Sequence, residues 1–297
     1  MISIVVCTYN RCGTLRRMLE SYVAMAGRDA VAHELLVIDN NSPDKTREVV
    51  ESFSTIETVR YVFEAKQGLS HARSRGVAES SGEIIAFLDD DVLLDVDWLT
   101  QLRACFDQTG ADVVGGRAEL VLEAEAPEWF GPYFRRWLSE VELGNERKPS
   151  PDGDGLFGLN LAFRKSKLLA CGGFDGTLGR TGDVLLSGED TETIRAILRD
   201  GGKVYYEPGA KVGHLIGAER LEWGYFERLI FAYGRGVARR KPDKTLWVGV
   251  KEYCVRQWRR LKLVFGGSLY EQRVALAQVL IAKGLISERW RQCSAKS

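Results

Sequence analysis

The first 115 residues alternate short apolar runs with segments whose apolar residues recur three or four positions apart. The apolar runs predict strands, and the segments between them predict helices. The predicted strands span 3–9, 34–38, 59–63 and 84–88, and the predicted helices span 15–25, 44–53 and 70–79. Such alternation is typical of βαβ units around a parallel sheet. Because ligands bind at the carboxyl ends of strands in open sheets of this class, we expect the chemistry to follow Val6, Ile38 and Leu88.

The regular alternation stops between residues 123 and 154. This segment contains four prolines and five aromatic residues, which predicts a long loop, and long loops in compact domains are usually functional or mobile. Beyond it the pattern predicts a strand over 156–164, a helix over 189–199, strands over 204–206 and 211–215, and helices over 223–237, 248–264 and 270–285. The order of elements predicts an α/β region followed by a helical C-terminal extension.

The composition is that of a globular chain with a large core: 45% of its 297 residues are hydrophobic and 28% are charged. It excludes a disordered chain and a small disulfide scaffold. No apolar stretch approaches the roughly 20 residues of a bilayer span, so we expect no transmembrane segment. Met1 leads directly into a predicted strand without a signal sequence, and the six cysteines form no C-x-x-C pair. We therefore expect a cytoplasmic protein with reduced cysteines.

The net charge of zero conceals two regions of opposite sign. Residues 220–297 contain 17 basic and 6 acidic residues, a balance of +11, so residues 1–219 carry −11. The stretch 256–262 combines basic residues with Trp and Leu, as do helices that lie on the anionic inner face of a plasma membrane. An extension that packs on the α/β region with a solvated basic face is an equal alternative. Because the acidic remainder would repel phosphate backbones, we expect no nucleic acid partner.

Three consecutive aspartates, Asp89, Asp90 and Asp91, follow the predicted strand 84–88 without a break. Adjacent carboxylates repel one another, and a divalent cation with oxygen ligands relieves that repulsion. Three acids without a dense histidine cluster favour Mn²⁺ or Mg²⁺ over Zn²⁺. The alternative is a solvated acidic turn that binds no ligand.

Residues 187–190 (SGED) match a capping box at the start of the predicted helix 189–199. On that interpretation Asp190 only closes the helix N-terminus. The same helix end favours the ionised carboxylate, which is the state that a general base requires. One side chain can serve both purposes.

Several ordered motifs carry a resemblance to a known family. They are residues 5–11 (VVCTYNR), 37–42 (VIDNNS), 68–73 (GLSHAR), 87–91 (FLDDD) and 188–190 (GED). Together they resemble the family 2 inverting glycosyltransferases of the GT-A fold, a Rossmann-like, mostly parallel sheet flanked by helices. The resemblance implies a catalytic domain over residues 1–216, a basic helical extension over residues 217–297, and a role in bacterial surface-polysaccharide assembly.

The resemblance also implies a nucleoside-diphosphate-sugar donor, with a UDP- or dTDP-sugar favoured, and a glycan or lipid-linked acceptor whose hydroxyl receives a hexose. Asp190 matches the second acid of the family's E-D motif, which is the catalytic base. The residues implied at the nucleotide are Thr8, Tyr9, Arg11, Asp39, Arg73, Asp89 and Asp90. The residues implied at a Mn²⁺ or Mg²⁺ ion are Asp89, Asp91 and His214, and those at the donor sugar or acceptor are Asn160, Glu189, Trp129 and Trp137.

Several of these assignments have a structural alternative. Asp39 lies in a cluster before Pro43 whose turn favours Asp by itself. A lone histidine such as His214 is more often a structural hydrogen-bonding residue than a ligand. Asn160 would otherwise be a strand residue facing solvent, and the aromatic residues from 129 to 137 would otherwise pack on their own core.

Other function classes fit the chain less well. A sugar nucleotidyltransferase would have a glycine-rich, basic phosphate loop after the first strand, and residues 7–11 (CTYNR) are not such a loop. No G-x-G-x-x-G follows a predicted strand, which argues against a dinucleotide oxidoreductase. The remaining alternative is a non-catalytic or inactive relative that binds glycan or anionic lipid through its basic helices. The presence of both acidic motifs argues against it. The oligomeric state is left open.

Overall fold

The computed structural model describes residues 1–27, 30–174, 188–240, 255–257 and 267–294. The described residues fall into two compact units. The first contains residues 1–121, 139–174 and 188–215, and the second contains residues 122–138 and those from 216 onward. The first unit carries the sheet, and the second is helical.

Four parallel strands form one half of the sheet: β1 (Ile2–Thr8), β2 (His33–Asp39), β3 (Val59–Phe63) and β4 (Ile84–Asp89). They alternate with helices α1 (Cys12–Ala26), α2 (Thr46–Glu51) and α3 (Leu69–Glu79). Six of the seven β1 residues are buried, and consecutive apolar positions are typical of strands covered on both faces. The structure thus confirms all seven elements that the pattern predicted for this half.

The other half of the sheet contains β5 (Val92–Leu94), β6 (Val113–Leu122), β7 (Lys148–Pro149), β8 (Asn160–Arg164) and β9 (Val204–Ile216). Over the described residues the strand order is β3-β2-β1-β4-β8-β6-β9-β5, with β7 beside β9. β8 runs antiparallel to β4 and joins the two halves. The helices of this region are α4 (Trp98–Thr109), α6 (Lys165–Ala170) and α7 (Glu189–Arg199), whereas α5 (Pro132–Arg135) belongs to the second unit.

The sequence pattern was less informative in this second half. It did not predict β5, α4 or β6, although the buried residues Trp98, Leu102, Cys105 and Phe106 of α4 have helical spacing. The predicted strands 204–206 and 211–215 form one strand, β9, because β7 pairs with its first part and β5 with its last part. The strand predicted over 156–164 begins only at Asn160.

The second unit is built on α8 (Trp223–Arg240) and α9 (Leu269–Ser294), which pack against each other. Their backbones approach closely at Gly234 and Gly284. A Cβ on Gly234 would lie 2.2 Å from the carbonyl oxygen of Ile281, and a Cβ on Gly284 would lie 2.1 Å from that of Phe231. The predicted helix 248–264 lies outside the described residues except for 255–257, which are helical. None of the helices within the described ranges has the length and apolar content of a bilayer-spanning segment.

Helix α3 lies directly against β1 at Gly76. A Cβ on Gly76 would lie 2.4 Å from the Cγ1 atom of Val5, so that only a residue without a side chain permits this approach. Arg73 lies three residues earlier and therefore on the same helix face. The close approach of α3 thus brings the Arg73 side chain to the carboxyl end of the sheet.

We predict that Gly76→Ala lowers the free energy of unfolding by about 1–3 kcal/mol, because the added methyl group overpacks the contact with Val5. Urea unfolding followed by circular dichroism measures the change. Gly13→Ala is the matched control: Gly13 also lies in a helix, and a Cβ there meets nothing within 4 Å. An unchanged midpoint for Gly76→Ala would contradict the close approach of α3.

One buried amide joins four elements of the first unit. The Asn160 side chain accepts a hydrogen bond from Trp98 Nε1 at 2.9 Å and donates to the carbonyl oxygens of Arg117 and Ala210 at 2.9 and 2.8 Å. These partners lie on α4, β6 and β9, whereas Asn160 begins β8. The interpretation of Asn160 as a solvent-facing strand residue is therefore wrong, since only 3% of it is exposed.

We predict that Asn160→Ala destabilises the protein by about 2–5 kcal/mol, because it leaves one buried donor and two buried acceptors without their partner. The control is Asn145→Ala, which removes an exposed amide bonded to Arg117 and should change stability by no more than about 0.5 kcal/mol. Equal unfolding midpoints for the two variants would refute this role of Asn160.

Candidate active site

Strand register brings the predicted chemistry to one edge of the sheet. Cys7 of β1 lies opposite Asp89 of β4, and Thr8 lies opposite Asp39 of β2. The carboxyl ends of three parallel strands therefore meet here, as the sequence pattern predicts. Tyr9 follows β1 and is exposed, and Asp89 is half-buried.

The carboxylates of Asp90 and Asp91 are buried at this edge and are held by two polar side chains. Thr8 Oγ1 donates a hydrogen bond to Asp90 at 2.7 Å. Arg11 Nη1 donates to Asp90 at 3.0 Å and to Asp91 at 2.7 Å. Burial, together with the neighbouring Asp91 charge, raises the pKa of Asp90 to about 6 although Arg11 opposes the shift. The alternative of a solvated acidic turn is wrong for these two residues.

A histidine faces the other oxygen of Asp91. His214 Nε2 lies 3.3 Å from Asp91 Oδ1, and both side chains are buried. The position of His214 follows from the pairing of β9 with β5, which places it opposite Val92, the residue after Asp91. The sequence pattern did not indicate this pairing, because β5 was not predicted.

Asp91 and His214 fit a divalent cation as a pair of ligands. A carboxylate oxygen and a neutral imidazole nitrogen are suitable donors for Mn²⁺, and a site of this kind completes its coordination with phosphate oxygens and water. Among the described residues, no three His, Cys, Asp or Glu side chains converge to form a complete protein site. The residues that the structure describes thus fit a cation that arrives with a phosphate ligand.

Asp39 is held in place at the end of β2. Its Oδ1 accepts a hydrogen bond from the Ser42 backbone N–H at 2.9 Å, as the turn alternative requires. Its Oδ2 accepts a hydrogen bond from the Tyr61 hydroxyl at 2.7 Å, and burial together with this bond raises the pKa of Tyr61. Tyr61 was not among the predicted site residues, although its place in the neighbouring strand β3 indicated such a contact.

A second charged cluster contains Arg73, Glu189 and Asp190, and we call it the Arg73 triad. Arg73 Nη1 donates hydrogen bonds to Asp190 Oδ1 and, at 2.9 Å, to Glu189 Oε1. The Gly158 backbone N–H donates to Asp190 Oδ2 at 3.0 Å. Burial and the Glu189 charge raise the pKa of Asp190 to about 6, while the Arg73 charge lowers it.

Helix α7 places the two acids of the triad. It begins at Glu189, directly after Gly188, which has a φ of 122° and so adopts a conformation that favours glycine. Ser187, the other member of the predicted capping box, lies outside the described residues. The Asp190 carboxylate bonds to Arg73 and Gly158, on other elements. Its use as a base stays a prediction.

Cys7 links the two charged clusters electrostatically. Burial raises the pKa of its thiol to about 12, and the charges of Asp89, Asp90 and Asp190 act in the same direction, whereas Arg73 opposes them. The acidic strand end and the Arg73 triad therefore both lie close to Cys7, at the end of β1. Sequence spacing did not indicate this proximity, because the two groups are about 100 residues apart.

The structure places the other predicted site residues as follows. Arg73 and Glu189 are buried in the triad, and Asn160 has its amide in the four-element contact described above. Trp129, in the second unit, is buried edge to face against Phe134, Trp223 and Phe226, which is the packing alternative. Trp137 is half-buried beside Tyr233. Part of the predicted aromatic loop is helical, as α5 and a 3₁₀ turn over Arg136–Leu138. Ligand contacts for these five residues stay predictions.

Comparison with known proteins identifies the family. Residues 3–168 match the model of glycosyl transferase family 2. Over 83% of its length the chain is 33% identical to glycosyltransferase AglE of Haloferax volcanii, covering 79% of that protein. Over 82% it is 27% identical to a glucosyl-dolichyl phosphate glucuronosyltransferase of the same organism, covering 77%. It is also 27% identical, over 82% of its length, to the succinoglycan biosynthesis protein ExoM of Rhizobium meliloti, covering 76%.

Solved structures of the same fold include two glycosyltransferases. The mannosyltransferase PcManGT of Pyrobaculum calidifontis, in complex with GDP-Man and Mn²⁺, has a TM-score of 0.58 at 16% identity and covers 100% of this chain and 75% of its own. GalNAc-T7 with UDP, GalNAc and Mn²⁺ has a TM-score of 0.59 at 19% identity. The match covers 99% of this chain and 57% of GalNAc-T7. The chain therefore belongs to glycosyl transferase family 2 and has the GT-A fold of the nucleotide-sugar glycosyltransferases.

Proposed function

We propose that the protein is a divalent-cation-dependent, inverting glycosyltransferase that moves a hexose from a nucleoside-diphosphate sugar to an acceptor hydroxyl. The observation that carries the proposal is the presence of two charged clusters at the end of β1. One contains Asp91, His214 and Arg11, and the other contains Asp190. A leaving diphosphate needs positive charge, and an attacking hydroxyl needs a base.

The donor site follows from the acidic strand end. Asp91 and His214 would hold the cation, with Asp89 as a further candidate, and Arg11 would turn toward the diphosphate. The chemistry that a bound Mn²⁺ or Mg²⁺ supplies is Lewis-acid stabilisation of the departing diphosphate. Thr8, Tyr9 and Asp90 would line the nucleoside beside it. The Mn²⁺ in two enzymes of the same fold supports this choice of cation.

Asp39 is the side chain that we assign to the base of the nucleotide. An ionised carboxylate only accepts hydrogen bonds, so it selects a base edge that presents an N–H group. Uracil and thymine present such a group at N3, as guanine does at N1 and N2, so the choice of a UDP- or dTDP-sugar rests on the family resemblance. Ser42 and Tyr61 hold the carboxylate in a fixed orientation for this contact.

Asp190 is the general base of the proposed reaction. It removes the proton from the acceptor hydroxyl as the oxygen forms a bond to the anomeric carbon. The bond from that carbon to the diphosphate oxygen breaks on the opposite face, and the electron pair leaves with the diphosphate. Attack and departure on opposite faces invert the anomeric centre. The hydrogen bond from Gly158 fixes the carboxylate during this step.

The acceptor that we propose is a glycan or lipid-linked glycan. One relative is named for glucosyl-dolichyl phosphate and another for succinoglycan biosynthesis, and both names support cell-surface glycan synthesis. The basic composition of residues 217–297 supports contact between this extension and an anionic membrane at its cytoplasmic face. Residues 1–216 would then form the catalytic domain.

We predict that one nucleoside diphosphate raises the melting temperature only in the presence of Mn²⁺ or Mg²⁺. The panel contains UDP, dTDP, GDP and CMP, each with Mn²⁺, Mg²⁺ or EDTA, and a ligand at 100 times its Kd stabilises the native state by about 2.7 kcal/mol. UDP or dTDP should give the largest shift. A rise in melting temperature with GDP and with no other nucleotide would contradict the assignment of Asp39 to a pyrimidine.

Asp91→Asn should abolish the metal-dependent part of this shift. Asp95→Asn is the control, because Asp95 lies four residues further along and pairs with Lys211 at the surface. A normal metal-dependent shift for Asp91→Asn would place the cation elsewhere. No shift with any nucleotide would favour the alternative of a non-catalytic relative that binds glycan or anionic lipid.

We predict that Asp190→Asn leaves nucleotide binding nearly intact and lowers transfer by about 10²–10⁴-fold, which is the typical contribution of a general base. The comparison uses kcat for transfer from the donor that the panel identifies. Asp200→Asn, at the exposed end of the same helix, is the matched control. Wild-type turnover of Asp190→Asn would exclude Asp190 as the base.

A further inference from the structure

We propose that Arg73 and Glu189 are positioning residues that act on the transfer reaction through Asp190. Arg73 holds the Asp190 carboxylate ionised and in place, and the charge of Glu189 opposes this ionisation. The inference rests on the proposed function, in which Asp190 is the base. It replaces the predicted contacts of Arg73 with the diphosphate and of Glu189 with a sugar.

The hydrogen bonds of the triad support this assignment. A single nitrogen of Arg73 donates to both carboxylates, so that the two acids share one cationic partner. Arg73 is 3% exposed and Glu189 is 4% exposed, whereas the Asp190 side chain retains 19%. Of the three, Asp190 is therefore the one that a ligand can reach.

The walls around Arg73 keep its guanidinium inside the protein. Its Cζ atom lies 5.7 Å from the ring centre of Phe87 and 5.4 Å from that of Phe174, both of them cation–π contacts. The backbone of Gly158 closes another side, since a Cβ there would lie 2.3 Å from Arg73 Nη2 and 2.4 Å from Asp190 Oδ2. This enclosure favours a role toward Asp190 over direct contact with a phosphate.

The charge balance of the triad explains why both partners matter. One guanidinium faces two carboxylates, which leaves one excess negative charge in a buried setting. Burial and Glu189 oppose ionisation of Asp190, and Arg73 favours it, with a resulting pKa of about 6. A base with a pKa near the working pH is the most effective one.

Two neighbouring groups also face the triad. The thiol of Cys7 on β1 stays neutral, because burial raises its pKa to about 12. Asp89 on β4 adds a negative charge that acts on Arg73. Both groups are unchanged in the variants below, so a shift between variants reports the triad itself.

The test is a titration of the Asp190 carboxyl group by ¹³C NMR, with protein labelled at aspartate Cγ and the signal identified by its loss in Asp190→Asn. Arg73→Met removes the favourable charge and should raise the midpoint by about 1 unit or more. Glu189→Gln removes the opposing charge and should lower it by a similar amount. Arg73→Lys keeps the charge and should give a midpoint between wild type and Arg73→Met.

Two surface variants serve as controls. Arg103→Met removes an arginine that also bridges two carboxylates, those of Glu83 and Asp107, but at the surface. Glu192→Gln removes an acid from the same first turn of α7 as Glu189. Neither should move the Asp190 midpoint. If Arg73→Met does not fold, Arg73→Lys and Glu189→Gln decide the outcome.

Opposite shifts for Arg73→Met and Glu189→Gln would support the proposal, and an unchanged midpoint in Glu189→Gln, or shifts of equal sign, would overturn it. The titration needs no substrate, so it is independent of the proposed function. In transfer assays the acidic limb of the pH profile should move with the same midpoints, because the base must be ionised. If the midpoints shift but the acidic limb stays fixed, the base assignment of Asp190 fails while the charge arrangement stands.

Discussion

Burial of negative charge is the constraint on which the structure of the site depends. Six carboxylates lie at or beside the ends of β1, β2 and β4, and four of them are almost completely inside, those of Asp39, Asp90, Asp91 and Glu189. Two guanidinium groups, those of Arg11 and Arg73, lie among the carboxylates that the structure describes. An isolated buried carboxylate is costly in free energy. Arg11 therefore bonds to Asp90 and Asp91, and Arg73 bonds to Glu189 and Asp190.

The two arginines solve this problem in different ways. Arg11 follows β1 and its side chain is 42% exposed, so in the proposed function it would be able to turn toward the diphosphate. Arg73 is enclosed by aromatic rings and glycine backbone and remains with its acids. One cluster is thus suited to an exchange of positive charge with a ligand, and the other to a constant environment for a base. This difference supports separate roles in donor binding and proton removal.

Backbone without side chains makes the enclosed cluster possible. Gly76 lets α3 approach β1, and Gly158 lets its own N–H reach the Asp190 carboxylate, because a Cβ at either position would overlap a neighbouring side chain. The polar contacts of Asn160 hold β8 against β6 and β9, and Gly158 lies two residues before that strand. Packing contacts outside the two charged clusters therefore help to fix the distances inside the site.

The amino-acid sequence was sufficient to predict the parallel half of the sheet, the family and the acidic motifs at the strand ends. Buried parallel strands appear as continuous apolar runs, and the carboxyl ends of such strands meet at one edge. The family resemblance already grouped Asp91 with His214 at the implied ion, but the contacts themselves depend on the tertiary structure. The pairing of β5 with β9 brings His214 to Asp91, and the packing of α3 and α7 brings Arg73 to Asp190. Local periodicity holds no information about such contacts, because they depend on the packing of elements that are distant in the chain.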